Sequence, residues 1–173
     1  MRCFLDMFKI LSVQYGWFEI RMGKSYLECS DYLGYDAPKA LLQAVINVAK
    51  NVSQEEWVCW MGEPRADILH VTKEDNMIKI ECFDAIGEAY YIDLSTMKAY
   101  CGKCFATYKE ELITFLDNLV TEFSLYQNGN GLLLYQEHWM AFPSEEFYIL
   151  KELAHSLVKN KEDSELFFDT YMK

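Results

Sequence analysis

Glycine, proline and histidine are scarce in this chain. Eight glycines and three prolines among 173 residues argue against collagen-like, linker-rich and propeller architectures. The three histidines form no HExxH pair, and neither a GxSxG nucleophile turn nor a GxGxxG phosphate loop occurs in the sequence. We therefore predict that the protein is not an enzyme and that it needs no cofactor.

Long apolar stretches are also lacking, which bears on the compartment. No apolar run approaches the roughly 18 residues that span a bilayer, and Asp6 and Lys9 interrupt the stretch near the start that could otherwise resemble a signal peptide. Most of the six cysteines lie inside apolar runs, and we interpret all six as reduced thiols of a cytoplasmic protein. These cysteines are Cys3, Cys29, Cys59, Cys82, Cys101 and Cys104.

Basic residues are outnumbered by acidic ones, 16 to 27, which gives a formal net charge of -11. Affinity for nucleic acid and for anionic membranes comes largely from Lys and Arg, so neither partner is expected. Ten acidic and three basic residues fall within 52–96, a net charge of -7 in one quarter of the chain. We expect a basic protein partner to meet this segment, because complementary charge speeds association.

The chain is long enough for a single domain over residues 1–173, and 51% of its residues are hydrophobic. Period-two alternation predicts strands within 8–29 and at 68–72, 77–83, 88–94 and, more weakly, 99–105, and the run at 57–61, which is apolar on both faces, predicts a covered or central strand. Helical spacing, with cap residues at Asp36 and Thr107 and with Pro143, predicts helices at about 36–51, 107–123, 132–139 and 143–158. Because strands and helices are segregated, we predict an α+β fold. Its antiparallel sheet would have about six or seven strands, with three or so helices packed mainly on one face.

The strand phases also predict a binding surface. Positions that alternate with the apolar residues should point away from the helices, and several of them are acidic or aromatic. The expected binding residues are Glu19, Tyr26, Glu28, Glu63, Glu81, Tyr91 and Asp93. Tyrosines among carboxylates suit recognition of a protein, although the same residues could be ordinary cross-strand pairs on a solvated sheet.

A second interpretation starts from Cys101-Gly102-Lys103-Cys104, because a CxxC motif can be a redox pair or half of a zinc site. The nearest predicted helix start lies beyond both cysteines. In a regular strand the two side chains would point to opposite faces. Incidental cysteines, a metal site and a thiol-redox site all stay open on this reasoning.

Several short segments together resemble small uncharacterised bacterial proteins, some of which lie beside secreted toxins and are regarded as immunity proteins. The segments are Ser25-Tyr26-Leu27, Leu41-Leu42, Trp57-Val58-Cys59-Trp60, Glu63-Pro64, Ile78-Lys79-Ile80 and Phe142-Pro143 followed by Phe147, Leu150 and Leu153. The resemblance implies an α+β protein without catalytic residues whose partner is a toxin domain, and it assigns no functional residue.

We therefore expect a non-enzymatic cytoplasmic protein-binding module, an immunity-type inhibitor of a basic toxin domain, as monomer or homodimer. The alternative is a small thiol-redox or zinc-binding protein that uses Cys101 and Cys104.

Overall fold

Seven strands form two antiparallel sheets in the computed structural model, which describes residues 8–171 and the side chains of residues 8–161. The three-stranded sheet, in the order β1-β2-β3, contains β1 (Lys9–Gln14), β2 (Trp17–Met22) and β3 (Ser25–Ser30). The four-stranded sheet is a meander of β4 (Glu55–Met61), β5 (Arg65–Glu74), β6 (Met77–Glu88) and β7 (Cys101–Glu111). The α+β class and the total of seven strands are confirmed, but the prediction of one continuous sheet is wrong. The chain passes from β3 through the first helix before it forms β4. The two strands then lie close together but share no backbone ladder, so the sheets stay separate.

Four α-helices occur in the described residues: α1 (Ala37–Ala49), α2 (Leu112–Ser124), α3 (Gly129–His138) and α4 (Ser144–Tyr171). The predicted cap of α1 is confirmed, because the Asp36 carboxylate accepts the backbone N–H of Lys39 at 3.1 Å. The predicted start of α2 at Thr107 is wrong, since β7 continues its ladder with β6 as far as Glu111. Strand pairing therefore outweighs the local capping-box pattern. None of the described helices is both long and apolar enough to cross a membrane.

The main core lies between the two sheets and the helices. Helix α1 packs on β4 and β5, α2 packs on β1, β6 and β7, and α3 packs on β1. At the centre is Phe18 of β2, which is fully buried. Its ring centroid lies 6.3 Å from that of Trp60, 6.2 Å from Phe123, 6.0 Å from Tyr135 and 5.6 Å from Trp139. One side chain thus contacts the second sheet and two helices.

The opposite face of the four-stranded sheet is covered at one end by residues 89–100. The predicted strand at 88–94 is wrong, because β6 ends at Glu88 and two short 3-10 segments follow, Ala89–Tyr91 and Leu94–Tyr100. Gly87, one residue before the end of β6, has a φ of +115°, a conformation that favours glycine. We call residues 89–100 the strap. The strap buries a small second core, which consists of Cys59, Met61, Ala66, Ala89 and Ile92.

Replacing Phe18 by Ala should lower the free energy of unfolding by about 3–5 kcal/mol, because the substitution leaves a cavity between both sheets and two helices. Urea unfolding followed by tryptophan fluorescence measures this loss. Phe18→Leu should cost less, and Tyr148→Ala on the exposed side of α4 should cost within about half a kcal/mol. A cost for Phe18→Ala as small as that of Tyr148→Ala would contradict the central role of Phe18.

Candidate functional site

Three of the predicted binding residues lie together on the outer side of the three-stranded sheet. Glu19 of β2 stands directly opposite Glu28 of β3, and Tyr26 lies on the same face two residues before Glu28. The Tyr26 hydroxyl donates a hydrogen bond to Glu28 Oε2 at 3.1 Å. Partial burial, followed by the hydrogen bond with Glu28, raises the pKa of Tyr26 to about 12. The outward phase predicted for this hairpin is therefore confirmed.

The end of β3 brings this group to the second sheet. Ser30 donates its hydroxyl to Glu63 Oε1 at 2.7 Å, so the loop after β4 is tied to β3. Asp67 of β5 and Asp84 of β6 stand directly opposite each other in their ladder, and both Asp84 and Glu28 act electrostatically on Asp67. Five carboxylates are thus linked along the seam between the two sheets, through two cross-strand pairs, the effect of Glu28 on Asp67 and the hydrogen bond from Ser30. We call Glu19, Glu28, Glu63, Asp67 and Asp84 the acidic junction.

The pKa of Asp67 shows that this proximity of carboxylates is unfavourable. Burial, then Asp84, then Glu28 raise the pKa of its carboxyl group to about 6. Like charges directly opposite each other in adjacent strands destabilise a sheet, and this site contains two such pairs, Glu19 with Glu28 and Asp67 with Asp84. The local electrostatics therefore favour the arrival of positive charge or of a proton.

The carboxylates of the acidic junction form no ion pair within the part of the structure whose side chains are described, residues 8–161. Elsewhere, carboxylates do pair, as in Lys9–Glu122 at 3.3 Å, Lys109–Glu74 at 2.7 Å and Lys39–Glu146 at 3.5 Å. Other described carboxylates, such as Asp31 and Glu56, also lie outside ion pairs, so what distinguishes the acidic junction is its two directly opposed like-charge pairs.

The other predicted binding residues do not belong to this surface. Glu81 lies on the opposite face of the four-stranded sheet, where Lys79 contacts it at 3.0 Å and His70 at 3.3 Å. These contacts, the Lys79 hydrogen bond first, lower the pKa of Glu81. Tyr91 and Asp93 lie in the strap, and Asp93 accepts the backbone N–H and the hydroxyl of Ser95 at 2.9 and 2.7 Å. The seven predicted residues therefore do not share one surface, and their role in binding stays a prediction.

Around His70, acidic and basic side chains are paired with each other, and their contacts connect the strap to the four-stranded sheet. The rings of Trp57 and His70 stack with 4.0 Å between their centroids, and His70 Nε2 lies 2.9 Å from Glu55. Lys98 of the strap lies 5.5 Å from the centre of the Trp57 ring and 3.5 Å from Glu55. Such a closed network leaves little unpaired charge for a partner, and we interpret it as a structural clasp.

The CxxC motif lies in β7, and its register is irregular. Cys104 pairs with Phe83, but Cys101 pairs with Ala85, so three steps along β7 match two steps along β6. The expectation that regular alternation puts the two thiols on opposite faces therefore does not apply, because the strand bulges between them. Both thiols are free, and burial raises the pKa of Cys101, whereas a redox-active thiol needs a lowered pKa.

Metal binding finds no geometric support in the described residues, which contain no group of three or more His, Cys, Asp or Glu side chains able to hold an ion. Cys29, Cys59 and Cys82 are free and buried, and Cys3 lies outside the described residues.

Sequence reasoning missed Asp67 and Asp84. A signal for Asp67 was present, because it shares the strand phase of the buried residues Leu69 and Val71, and a carboxylate in a buried phase is unusual. The sequence contains no comparable signal that Glu28 lies near Asp67, because this proximity depends on how the two sheets pack.

Asp67→Asn should stabilise the protein at neutral pH. A carboxyl whose pKa is raised in the folded state binds its proton more tightly there, so its stabilising contribution is greatest below about pH 4 and is lost as the pH rises to about 6. The variant should therefore gain stability relative to the original protein over this range, by about 1 kcal/mol once solvent screening is allowed for. Urea titrations at several pH values measure the difference.

Glu74→Gln provides a control of opposite sign. Lys109 lowers the pKa of Glu74, so this variant should be the less stable one at neutral pH, and the deficit should fade as the pH falls through the acidic range. If Asp67→Asn shows the pH dependence of Glu74→Gln, the electrostatic description of the acidic junction is wrong.

Comparisons with protein-family models, with curated proteins and with solved structures found no match to this chain. The resemblance to immunity-type proteins stays a prediction, and the function has to be inferred from the side chains themselves.

Proposed function

We propose that this protein is a non-enzymatic binding module that captures a basic segment of another protein at the acidic junction. The observation that carries the proposal is the group of five carboxylates without an ion-pair partner among the described side chains, two of which oppose two others directly across strands. A basic partner would relieve this repulsion on binding. The free energy of that relief would add to the affinity.

Tyr26 gives the acidic junction a second kind of contact. Its ring is half exposed, and its hydroxyl is held by Glu28. A tyrosine immobilised before binding loses little conformational entropy when a partner packs against it. The carboxylates would steer the encounter and Tyr26 would lengthen the lifetime of the complex, since rim charges act mainly on association and buried aromatic contacts mainly on dissociation.

A toxin domain is the partner class that we propose, on the strength of the resemblance to immunity-type proteins, with binding in the cytoplasm. An inhibitor of this kind needs no catalytic group. It needs a surface complementary to a basic site on the toxin, because occupying that site is sufficient to block it. The acidic junction has the charge that such a task requires.

Glu28→Gln combined with Asp84→Asn should weaken binding of a short synthetic peptide rich in Lys and Arg by about threefold to tenfold, mainly through slower association. The matched control, Glu74→Gln combined with Glu81→Gln, also removes two negative charges, but from carboxylates that already have cationic partners. Surface plasmon resonance at several salt concentrations gives both rate constants and their salt dependence.

The two double variants distinguish a local site from a general effect of net charge. A loss confined to the Glu28/Asp84 variant, with a weaker salt dependence than the original protein, supports the acidic junction. Equal losses in both variants would mean that the peptide responds only to net charge, and the proposed site would be abandoned.

A further inference from the structure

Tyr15 occupies a backbone conformation that tyrosine rarely adopts. Three non-glycine residues of the described chain have positive φ: Tyr15 at +53°, Asn51 at +57° and Asp75 at +53°. Asn and Asp tolerate this region because their short side chains bond locally, whereas a bulky residue is strained there. The Tyr15 side chain is 82% exposed, so burial in a core does not offset the strain. Tyr15 and Gly16 are the two central residues of the hairpin between β1 and β2, a turn that requires positive φ at both positions and usually contains Asn, Asp or Gly. An exposed tyrosine in place of these residues points to a role for its side chain.

The turn that carries Tyr15 is firmly held. Gly16 donates its backbone N–H to the carbonyl of His138 at 2.9 Å, and the Tyr15 ring meets the His138 ring edge-on at 5.3 Å. Gly16 in turn accepts the N–H of Asp31 at 2.9 Å, and its positive φ and close contact with the Asp31 carboxylate leave no room for a side chain. Tyr32 follows Asp31 and is 75% exposed. We call Tyr15 and Tyr32 the tyrosine knuckle.

The tyrosine knuckle adjoins the acidic junction through β2 and β3. Trp17, two residues after Tyr15, pairs with Ser30, and Ser30 holds Glu63 of the acidic junction. Glu19 and Glu28 form the next outward-facing pair along the same two strands. The exposed tyrosines therefore lie at one end of an acidic strip.

We propose that the tyrosine knuckle is the anchoring part of the interface and takes an arginine side chain of the basic partner. This inference rests on the proposed function. A guanidinium group stacks on an aromatic ring and forms bidentate hydrogen bonds with a carboxylate, whereas an ammonium group does so poorly. Asp31 supplies the carboxylate, because it directly precedes Tyr32, its side chain lies close to Gly16, and it forms no ion pair with a described side chain.

The test compares an arginine-containing peptide with a lysine-containing peptide of the same length and charge. The original protein should bind the arginine peptide more tightly. The double variant Tyr15→Asn/Tyr32→Ala should lose about threefold to tenfold in affinity for the arginine peptide and much less for the lysine peptide, since an exposed cation–π contact is worth roughly twofold to fivefold per ring. Isothermal titration calorimetry measures the four dissociation constants, and Tyr148→Ala on α4 is the exposed-tyrosine control.

The melting temperature of Tyr15→Asn alone distinguishes a binding role of Tyr15 from a structural one, because loss of a structural contact would lower it. Asn suits positive φ, so the melting temperature should stay the same or rise while arginine selectivity falls. A clearly lower melting temperature would show that Tyr15 serves the fold, and it would overturn the inference.

The binding outcomes separate this inference from the proposed function. If the Glu28/Asp84 variant loses affinity but the Tyr15/Tyr32 variant binds both peptides like the original protein, the acidic junction stands and the tyrosine knuckle is rejected. If the original protein binds neither peptide, both proposals fail together.

Discussion

The packing of one aromatic side chain holds the two sheets of this protein in their relative orientation. The sheets share no backbone ladder, so their arrangement depends on side chains that contact both of them. Phe18 of β2 does this most directly, because its ring meets Trp60 of the other sheet together with Phe123 of α2, Tyr135 of α3 and Trp139 directly after α3. Aromatic pairs in such geometries add to the free energy of burial. Phe18 therefore also determines where β3 runs relative to β5 and β6.

That position of β3 has an electrostatic consequence. It brings Glu28 near Asp67, whose carboxyl already faces Asp84 across the ladder, and it lets Ser30 hold Glu63. The repulsion among these groups is a few kcal/mol at most in a half-exposed setting. Burial of a core of this size contributes far more than that. The fold can therefore hold unpaired carboxylates together, and it leaves the relief of their repulsion to whatever binds there.

Local features of the fold were predictable from the sequence, and features that depend on sheet packing were not. Helical spacing gave the buried stripes of α1 and α2, and alternation gave the outward phase of Tyr26 and Glu28, because both patterns repeat over a few residues. The division into two sheets, the end of β6 at Glu88 and the approach of Glu28 to Asp67 depend on contacts between distant segments. The candidate site was accordingly half predicted. Glu19, Glu28 and Glu63 were among the predicted residues, while Asp67 and Asp84 were not.

Net charge along the sequence is a poor guide to where a charged partner binds. Residues 52–96 hold most of the net negative charge, yet Glu55, Glu74 and Glu81 are paired with cations and Asp93 caps a turn. What attracts a cation is the charge left unpaired after folding. At the acidic junction, such charge comes from residues 63–84 together with Glu19 and Glu28, which belong to a segment whose own net charge is slightly positive. The electrostatic site is therefore a product of tertiary structure. It joins carboxylates from two parts of the sequence that differ in the sign of their net charge.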